Sequence, residues 1–307
     1  MLPWLQPYQA QFRALMAKSS LAHALLFTGP EGVGKTTLAN WLIASLLCTN
    51  TTSTNGTNAS DARPCEHCKS CLLRKAGNHA DLLIVDATNT SIGVDAVRQI
   101  SLFMQSTAQQ QKNKLVLLRN AERLTEAAAN ALLKTLEEPP QNGYLLLLSP
   151  YPARLTATLL SRLQNWPLAA QFDSHALHWL EQHSNRAVPD FLLSYCSGGP
   201  LKALSMLESG KADNIQSLLQ TLEKFFTEQV ALPEAVKQLL ATDQVAAILG
   251  FYIRKTYLPQ LLQHNAERLP LAHQYYMRWC RDEQNILGQN KSLALSALLT
   301  ELRRLRH

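Results

Sequence analysis

A glycine-rich loop between a short apolar run and a helical pattern constrains the fold of this chain most. Residues 24–28 are apolar and lead into Gly29-Pro-Glu-Gly-Val-Gly-Lys35-Thr36, which matches the phosphate-binding pattern GxxxxGK[ST]. Leucines then recur at helical spacing over residues 35–47. A strand, a phosphate loop and a helix in this order predict a nucleotide-binding fold.

Apolar runs and helix-like segments keep alternating up to about residue 165. Further strands are predicted at 82–86, 114–118 and 144–149, with helices at 94–106 and 126–138. The second helix should end at Pro139-Pro140, because proline cannot continue a helix. This alternation predicts an α/β domain with a parallel sheet and helices on both faces.

The strand signal stops near residue 166, and amphipathic helical patterns continue to the C-terminus. Gly198-Gly199-Pro200 interrupts them, and a polar stretch follows at 209–214. We therefore predict three domains: a P-loop domain over 1–166, a small helical domain over 167–208 and an all-α domain over 209–307.

The chain shows no sign of export or membrane insertion. No apolar run approaches the roughly 18 residues of a membrane helix, and the N-terminus lacks a basic region followed by an apolar stretch. We expect a cytoplasmic protein. The net charge of +6 permits contact with nucleic acid without indicating it.

The loop residues predict a nucleotide site. The glycines would let backbone N–H groups face phosphate oxygens, Lys35 would reach the outer phosphates and Thr36 would ligate magnesium. ATP or ADP, with Mg²⁺, is the expected ligand, and a loop that keeps its shape but stays empty is the alternative. The predicted nucleotide-binding residues are Gly29, Gly32, Val33, Gly34, Lys35, Thr36 and Thr37.

The strand predicted at 114–118 lacks the acids of a hydrolysing enzyme. P-loop ATPases carry acids there that hold the magnesium shell and orient the attacking water, whereas this chain has Arg119 and Asn120. Asp86 ends the run 82–86, and we assume that a replacement acid must lie on the strand beside the loop strand. Because the sequence does not order the strands, we interpret Asp86 as a strand-end or helix-capping residue. Glu122 is expected in solvent. The pattern predicts nucleotide binding with little hydrolysis.

Four cysteines predict a structural metal site. Cys65, Cys68 and Cys71 have the spacing C-x2-C-x2-C, and Cys48 can supply a fourth thiolate across the low-complexity stretch 49–60, which should be a surface loop. Four thiolates suit tetrahedral zinc. An iron–sulfur cluster is the alternative, disfavoured because the fourth cysteine is distant and no proline follows the triplet. His67 and His79 are alternative fourth ligands.

Three more motifs give the chain a family resemblance. They are Gly93-Val-Asp-Ala-Val-Arg98, Ala129-Asn-Ala-Leu-Leu-Lys-Thr-Leu-Glu-Glu-Pro-Pro140 and Ser161-Arg162. With the P-loop and the cysteines, they resemble the bacterial clamp-loader ATPases, the gamma/tau and delta-prime subunits of DNA polymerase III, over about 1–205. The resemblance implies an AAA+ P-loop domain with a zinc module at about 48–71, a helical lid domain, and a helical collar domain that joins a five-subunit ring.

Departures from the family pattern favour one branch of it. Gamma/tau-type chains carry Asp-Glu where this chain has Arg119-Asn120, and a nucleotide-sensing arginine where it has Leu201, with Lys202 beside it. Both losses are similar to the delta-prime branch. The resemblance thus implies a subunit that is not catalytic alone but belongs to the DNA-directed DNA polymerase holoenzyme, and that helps to load the sliding clamp on primed DNA during replication.

The resemblance also implies roles for surface residues. Arg162, in Ser161-Arg162-Leu163 where the family has Ser-Arg-Cys, would act in trans on the ATP of a neighbouring gamma/tau subunit, as an arginine finger. Ser149 matches a polar sensor position, and Arg98 resembles residues that contact template DNA, with a solvated surface arginine as the alternative. The implied partners are the gamma/tau and delta subunits, the beta sliding clamp and primed DNA, with no membrane.

Two other functions remain open at this point. The chain could be an active gamma/tau-type ATPase, against which Arg119-Asn120 argues. It could instead be a zinc-dependent nucleic-acid-binding module on an inert AAA+ scaffold, and DNA binding that is lost on zinc removal would support that function.

Overall fold

The computed structural model describes residues 2–50, 64–87, 90–110, 113–286 and 288–306. The chain divides into two compact units, Met1–Ala203 and Leu204–His307. The predicted domain boundaries at 167 and 209 stay predictions. Most of the predicted surface loop at 49–60 lies outside the described residues.

A parallel sheet forms the centre of the first unit. Within the described residues its five strands follow the order β2-β3-β4-β1-β5. In register, Phe27 of β1 lies between Leu148 of β4 and Trp166 of β5. The strands are β1 Ala24–Thr28, β2 Leu82–Val85, β3 Lys114–Leu118, β4 Gly143–Ser149 and β5 Gln164–Pro167.

The position of β4 corrects one assumption made from the sequence. The strand that ends at Arg119-Asn120 is β3, and β4 separates it from the loop strand β1. The catalytic position therefore does not lie on the strand beside the loop strand. Asp86 follows β2, at the edge of the sheet.

The helices of the first unit cover both faces of the sheet, as expected for a parallel sheet. The helix predicted at 126–138 begins after Thr125, whose hydroxyl accepts from the N–H of Ala128 at 3.2 Å, and ends just before the two prolines. The helices are α1 Gln6–Ala17, α2 Lys35–Leu47, α3 Lys69–Lys75, α4 Val94–Gln105, α5 Glu126–Glu137, α6 Ala157–Leu160, α7 Ser174–Ser184 and α8 Phe191–Tyr195.

A hydrophobic core holds α4 and α5 against the sheet. Val97 and Ile100 of α4 pack with Leu132 and Leu136 of α5 against apolar side chains of β3 and β4. Leu159 and Leu163, on either side of Arg162, belong to the same buried cluster. The core therefore fixes the backbone on which Arg162 is carried.

Helices make up the described part of the second unit. Tyr257, in a π-helical turn at Ile253–Tyr257, is buried and its hydroxyl donates to the carbonyl of Leu302 at 2.5 Å. Among the described helices, none combines the length and apolar character needed to cross a membrane. The remaining helices are α9 Pro200–Glu208, α10 Lys211–Phe226, α11 Leu232–Leu239, α12 Val245–Tyr252, α13 Leu258–His264, α14 Leu269–Asn285 and α15 Lys291–Arg306.

Candidate functional site

The phosphate loop joins β1 to α2 and depends on its glycines. Gly29, Gly32 and Gly34 have φ angles of +129°, +79° and +107°, a region that residues with a Cβ rarely adopt. Space is restricted as well, because a Cβ on Gly29 would lie 2.3 Å from the carbonyl oxygen of Leu168. The loop therefore needs glycine for its backbone angles and for its close neighbours.

The ammonium of Lys35 is bound by the loop itself. Its Nζ donates to the carbonyl oxygens of Gly29 at 2.7 Å and Pro30 at 2.8 Å. Burial lowers the pKa of Lys35 from 10.5 to about 8, although the nearby carboxylates of Glu31 and Glu122 act in the opposite direction. A phosphate at this loop would have to replace the two carbonyls as the partner of the lysine.

Residues 199–202 pack directly against the same loop. The N–H of Leu201 donates to the carbonyl of Gly32 at 2.9 Å, and Lys202 forms an ion pair with Glu31 at 2.7 Å. A Cβ on Gly199 would lie 1.9 Å from the carbonyl oxygen of Glu31. The sequence did not predict the contact of Lys202 with the loop, because the two members of the ion pair are 171 positions apart.

The N-terminal segment contacts the loop as well. Trp4 donates its indole N–H to the carbonyl of Val33 at 2.8 Å, and Leu2 lies against Gly34. Val33 is fully buried, whereas Thr36 and Thr37 at the start of α2 are exposed. All seven predicted nucleotide-binding residues thus lie in one loop and the first turn of its helix.

A cavity of about 400 Å³ opens beside the loop. Its lining includes Glu31, Tyr151, Ser197 and Lys202. The cavity brings together the loop, the residues that follow β4 and the segment around 199–202.

The tip of β3 carries a cation and an amide where a hydrolysing ATPase has acids. Arg119 pairs with Asp86 at 3.2 Å, and Asn120, with φ of +53°, donates to the other carboxylate oxygen at 3.1 Å. Asp86 follows β2 directly. Because Arg119 and Asn120 already bind it, this carboxylate is poorly placed to hold magnesium.

Glu122 is only partly exposed and its carboxylate is hydrogen-bonded, so the expectation of a solvated side chain was wrong. A 3-10 turn at Ala121–Arg123 brings its half-buried carboxylate to the end of β4, where the hydroxyl of the buried Ser149 donates to it at 2.8 Å. Its charge also acts on Lys35. An acid therefore lies near the loop, three positions later than the family pattern places one.

Arg162 lies on the surface just after α6. Its side chain is 35% exposed, and the guanidinium contacts Glu137 through Nε at 2.8 Å and Nη2 at 2.6 Å. Nη1 donates to the carbonyl of Thr158 at 2.9 Å and the hydroxyl of Ser161 at 3.2 Å. The candidate finger is thus a surface arginine whose guanidinium is bound by neighbouring residues of its own chain.

Arg98 lies in the second turn of α4 and is mostly solvated. Its side chain is 72% exposed and pairs with Asp95 at 3.1 Å. This arrangement fits a surface arginine that could exchange Asp95 for a phosphate, and the DNA contact of Arg98 stays a prediction.

The four cysteines form one cluster. The Sγ atoms of Cys48, Cys65, Cys68 and Cys71 all lie within 4.8 Å of one another. Backbone N–H groups of the last three donate to sulfur atoms of the cluster at 3.3–3.4 Å. Burial raises the pKa of Cys71 to about 12, which disfavours the thiolate unless a cation compensates its charge. This all-sulfur donor set fits a closed structural zinc site.

Neither histidine belongs to the cluster. The ring Nδ1 of His79 accepts from the N–H of Asp81 at 3.1 Å, so its Nε2 carries the proton and donates to Ser70 at 2.7 Å. Ser70 in turn donates to the carbonyl of Leu47 at 2.6 Å. His67 is exposed. The histidine network fastens the cysteine module to the end of α2.

Comparisons with known protein sequences all match subunits of DNA polymerase III. A family model described as DNA polymerase III, delta subunit, matches residues 6–172. The chain is 37% identical to DNA polymerase III subunit delta' of Haemophilus influenzae over 233 residues, covering 75% of this chain and 68% of that protein. It is 32% identical to the protein of the same name from Buchnera aphidicola subsp. Schizaphis graminum over 300 residues. This match covers 95% of this chain and 87% of that protein.

One solved structure supports the fold. A DNA polymerase III gamma subunit-related protein of Thermotoga maritima superposes with a TM-score of 0.50 at 17% identity, covering 97% of this chain and 100% of that one. At this identity the likeness concerns the fold alone. It confirms the predicted class, a AAA+ P-loop domain with a parallel sheet and a helical C-terminal part.

Proposed function

The chain belongs to the delta-prime subunit family of bacterial DNA polymerase III, and we propose that it is a hydrolysis-deficient clamp-loader subunit. Relatives of this name make it a component of the bacterial replication machinery. In the proposed role it supplies Arg162 in trans to the ATP site of a neighbouring gamma/tau subunit, and the assembled complex loads the sliding clamp on primed DNA.

The tip of β3 is the single observation that carries the proposal. Arg119 and Asn120 both bind Asp86 there, so the position that should order magnesium holds a guanidinium instead. With an arginine and an amide at these two positions, no carboxylate there holds the magnesium shell or orients the attacking water. The chain contributes to hydrolysis at another subunit's site and not at its own.

The phosphate loop keeps a capacity for nucleotide under this proposal. Its glycines, Lys35 and Thr36 retain the residue types that bind phosphates and Mg²⁺. Binding must displace the carbonyl partners of Lys35, which lowers the affinity. We therefore expect ATP or ADP to bind weakly to moderately.

Surface geometry supports Arg162 as the finger. Its side chain is partly exposed, and its backbone is fixed by the buried Leu159 and Leu163. A planar guanidinium on a rigid support can reach a γ-phosphate across a subunit interface and stabilise the charge of the transition state.

The remaining partners follow from the family. The helices α10–α15 would form the collar that joins gamma/tau and delta subunits, and Arg98 would contact the primed DNA inside the ring. The zinc module has a structural role, because a site closed by four thiolates leaves no position for a substrate.

Two measurements on purified protein test the proposal. Equilibrium binding of ATP and ADP to the isolated chain should be detectable, and phosphate release should stay at the background rate. The Lys35→Ala variant should lose the binding. Steady turnover by the isolated chain that disappears in Lys35→Ala would instead identify an active ATPase.

A further inference from the structure

The two edges of the Arg162 guanidinium have different partners. Nε donates to one carboxylate oxygen of Glu137 at 2.8 Å, and Nη2 forms an ion pair with the same oxygen at 2.6 Å. Nη1 donates to neutral oxygens, the carbonyl of Thr158 at 2.9 Å and the hydroxyl of Ser161 at 3.2 Å. One edge is therefore held by a full negative charge and the other by neutral acceptors.

This asymmetry determines which contacts a phosphate would replace. Hydrogen bonds between a guanidinium and a charged oxygen are about twice as strong as those to neutral acceptors. An incoming phosphate therefore displaces Thr158 and Ser161 from Nη1 more easily than it displaces Glu137. The guanidinium can turn one edge to the phosphate while Glu137 keeps the other edge in place.

Glu137 has a rigid support for such a role. It is the last residue of α5, and the preceding Leu136 is buried. The imidazole of His23, next to the loop strand β1, donates to the carbonyl of Leu136 at 3.0 Å. A carboxylate at a helix C-terminus is unfavourable by itself because the helix dipole is negative there, and the pairing with Arg162 offsets that cost.

We propose that Glu137 is a positioning residue for Arg162. It holds the Nε edge of the guanidinium so that the Nη1 edge is presented to the phosphate of the neighbouring subunit. This inference rests on the proposed function of Arg162. It adds a second residue of this chain to the trans-acting site, one that touches neither nucleotide nor metal and acts only through the orientation of the arginine.

The test uses the complete complex reconstituted with gamma/tau and delta subunits. The quantity measured is the Arg162-dependent turnover, defined as the DNA- and clamp-stimulated ATPase rate with wild-type chain minus the rate with Arg162→Ala. Glu137→Ala should reduce this turnover roughly tenfold, because ordering one long side chain costs about that factor. The KM for ATP should stay the same, since Glu137 does not bind the nucleotide.

Two further variants separate positioning from charge and from folding. Glu137→Gln keeps an acceptor oxygen and should lose less turnover than Glu137→Ala. Glu138→Gln changes the adjacent exposed carboxylate and should match wild type. Size-exclusion chromatography of each complex verifies that assembly is intact.

The double variant Glu137→Ala/Arg162→Ala decides whether the effect passes through the arginine. The total stimulated ATPase rate of the complex with the double variant should equal the rate with Arg162→Ala alone. A further loss in the double variant would overturn the positioning role, and so would full turnover in Glu137→Ala when Arg162→Ala is impaired. If Arg162→Ala itself retains wild-type turnover, the proposed function fails as well.

Discussion

At the residue scale, Lys35 makes the phosphate loop sensitive to pH. Burial lowers its pKa to about 8, whereas an exposed lysine stays charged to about pH 10. A phosphate needs the charged ammonium as a partner. As the pH rises through 8, the fraction of charged lysine falls, and the attraction for nucleotide falls with it.

We expect the affinity for ADP to decrease several-fold between pH 7 and pH 9. The ligand does not account for the change, because a terminal phosphate with a second pKa of about 6 is already ionised in this range. Calorimetric or fluorescence titration of the isolated chain measures the effect, with Lys35→Arg as the control, because an arginine stays charged from pH 7 to 9. An ADP affinity that is constant from pH 7 to 9 would contradict it.

The burial and the hydrogen-bond partner of Glu122 could not be predicted from the sequence. The sequence indicates an acid three positions after Arg119, and its environment depends on a 3-10 turn and on a hydroxyl 27 residues away. The ion pair of Lys202 with Glu31 spans 171 positions. The identity of the loop residues could be predicted from a local motif, but the contacts that close the site are long-range and have no local signal.

At the element scale, the phosphate loop and the segment 199–202 share a close contact. A Cβ on Gly32 would lie 2.4 Å from the backbone nitrogen of Lys202, whereas nothing lies within 4 Å of the corresponding position at Gly77. Both glycines have positive φ, +79° and +73°. Alanine at either position would strain the backbone, but only alanine at position 32 would also collide with a neighbouring residue. Comparing the two variants therefore separates the cost of backbone strain from the cost of lost packing.

Gly32→Ala should destabilise the protein more than Gly77→Ala. Both variants pay about 1–2 kcal/mol for a left-handed alanine, and only the first must also move the backbone at Lys202. Urea unfolding of the two variants beside wild type measures the difference. Equal losses of unfolding free energy would show that segment 199–202 does not rest on the loop.

The cysteine module should contain about one zinc ion per chain. Cys68→Ser should release it and raise hydrogen exchange over residues 64–79, while β1 and β4 stay protected because their core does not include the module. Cys280→Ser, which changes a cysteine of the second unit, is the control. Elemental analysis that finds iron, or no metal in freshly reduced protein, would refute the zinc site.

Elements with a strong local pattern were predictable and those without one were not. The apolar runs of β1 and β3 and the helix that ends before Pro139 are found where the sequence predicted them. Strand β5, Gln164–Pro167, was missed, because it is polar and partly exposed at the edge of the sheet. Its strand conformation depends on pairing with β1, which no local pattern reports.

At the scale of the whole molecule, the proposed function separates nucleotide binding from hydrolysis. The phosphate loop is intact, the tip of β3 holds Arg119 and Asn120 on Asp86, and Arg162 lies on the surface beyond α6. In this proposal the chain has its catalytic effect only at an ATP site that another subunit supplies. Isolated protein and assembled complex should therefore behave differently.

The most direct test of this account is the ATP turnover of complexes reconstituted with wild-type or Arg162→Ala chain. Arginine fingers contribute about 10³–10⁵ in rate, so hydrolysis at the one neighbouring site should nearly stop. Total turnover should fall by less, because in the proposed complex the other gamma/tau sites have their own fingers. Arg162→Lys should rescue only in part, since lysine lacks the planar fork of donors.

Arg123→Ala, which removes another exposed arginine, controls for the loss of surface charge. Stimulated by clamp and primed DNA, the complex with Arg162→Ala should assemble normally, hydrolyse ATP more slowly and load fewer clamps than the wild-type and Arg123→Ala complexes. Equal turnover and equal loading in all three complexes would contradict the trans-acting role and leave this subunit as a scaffold.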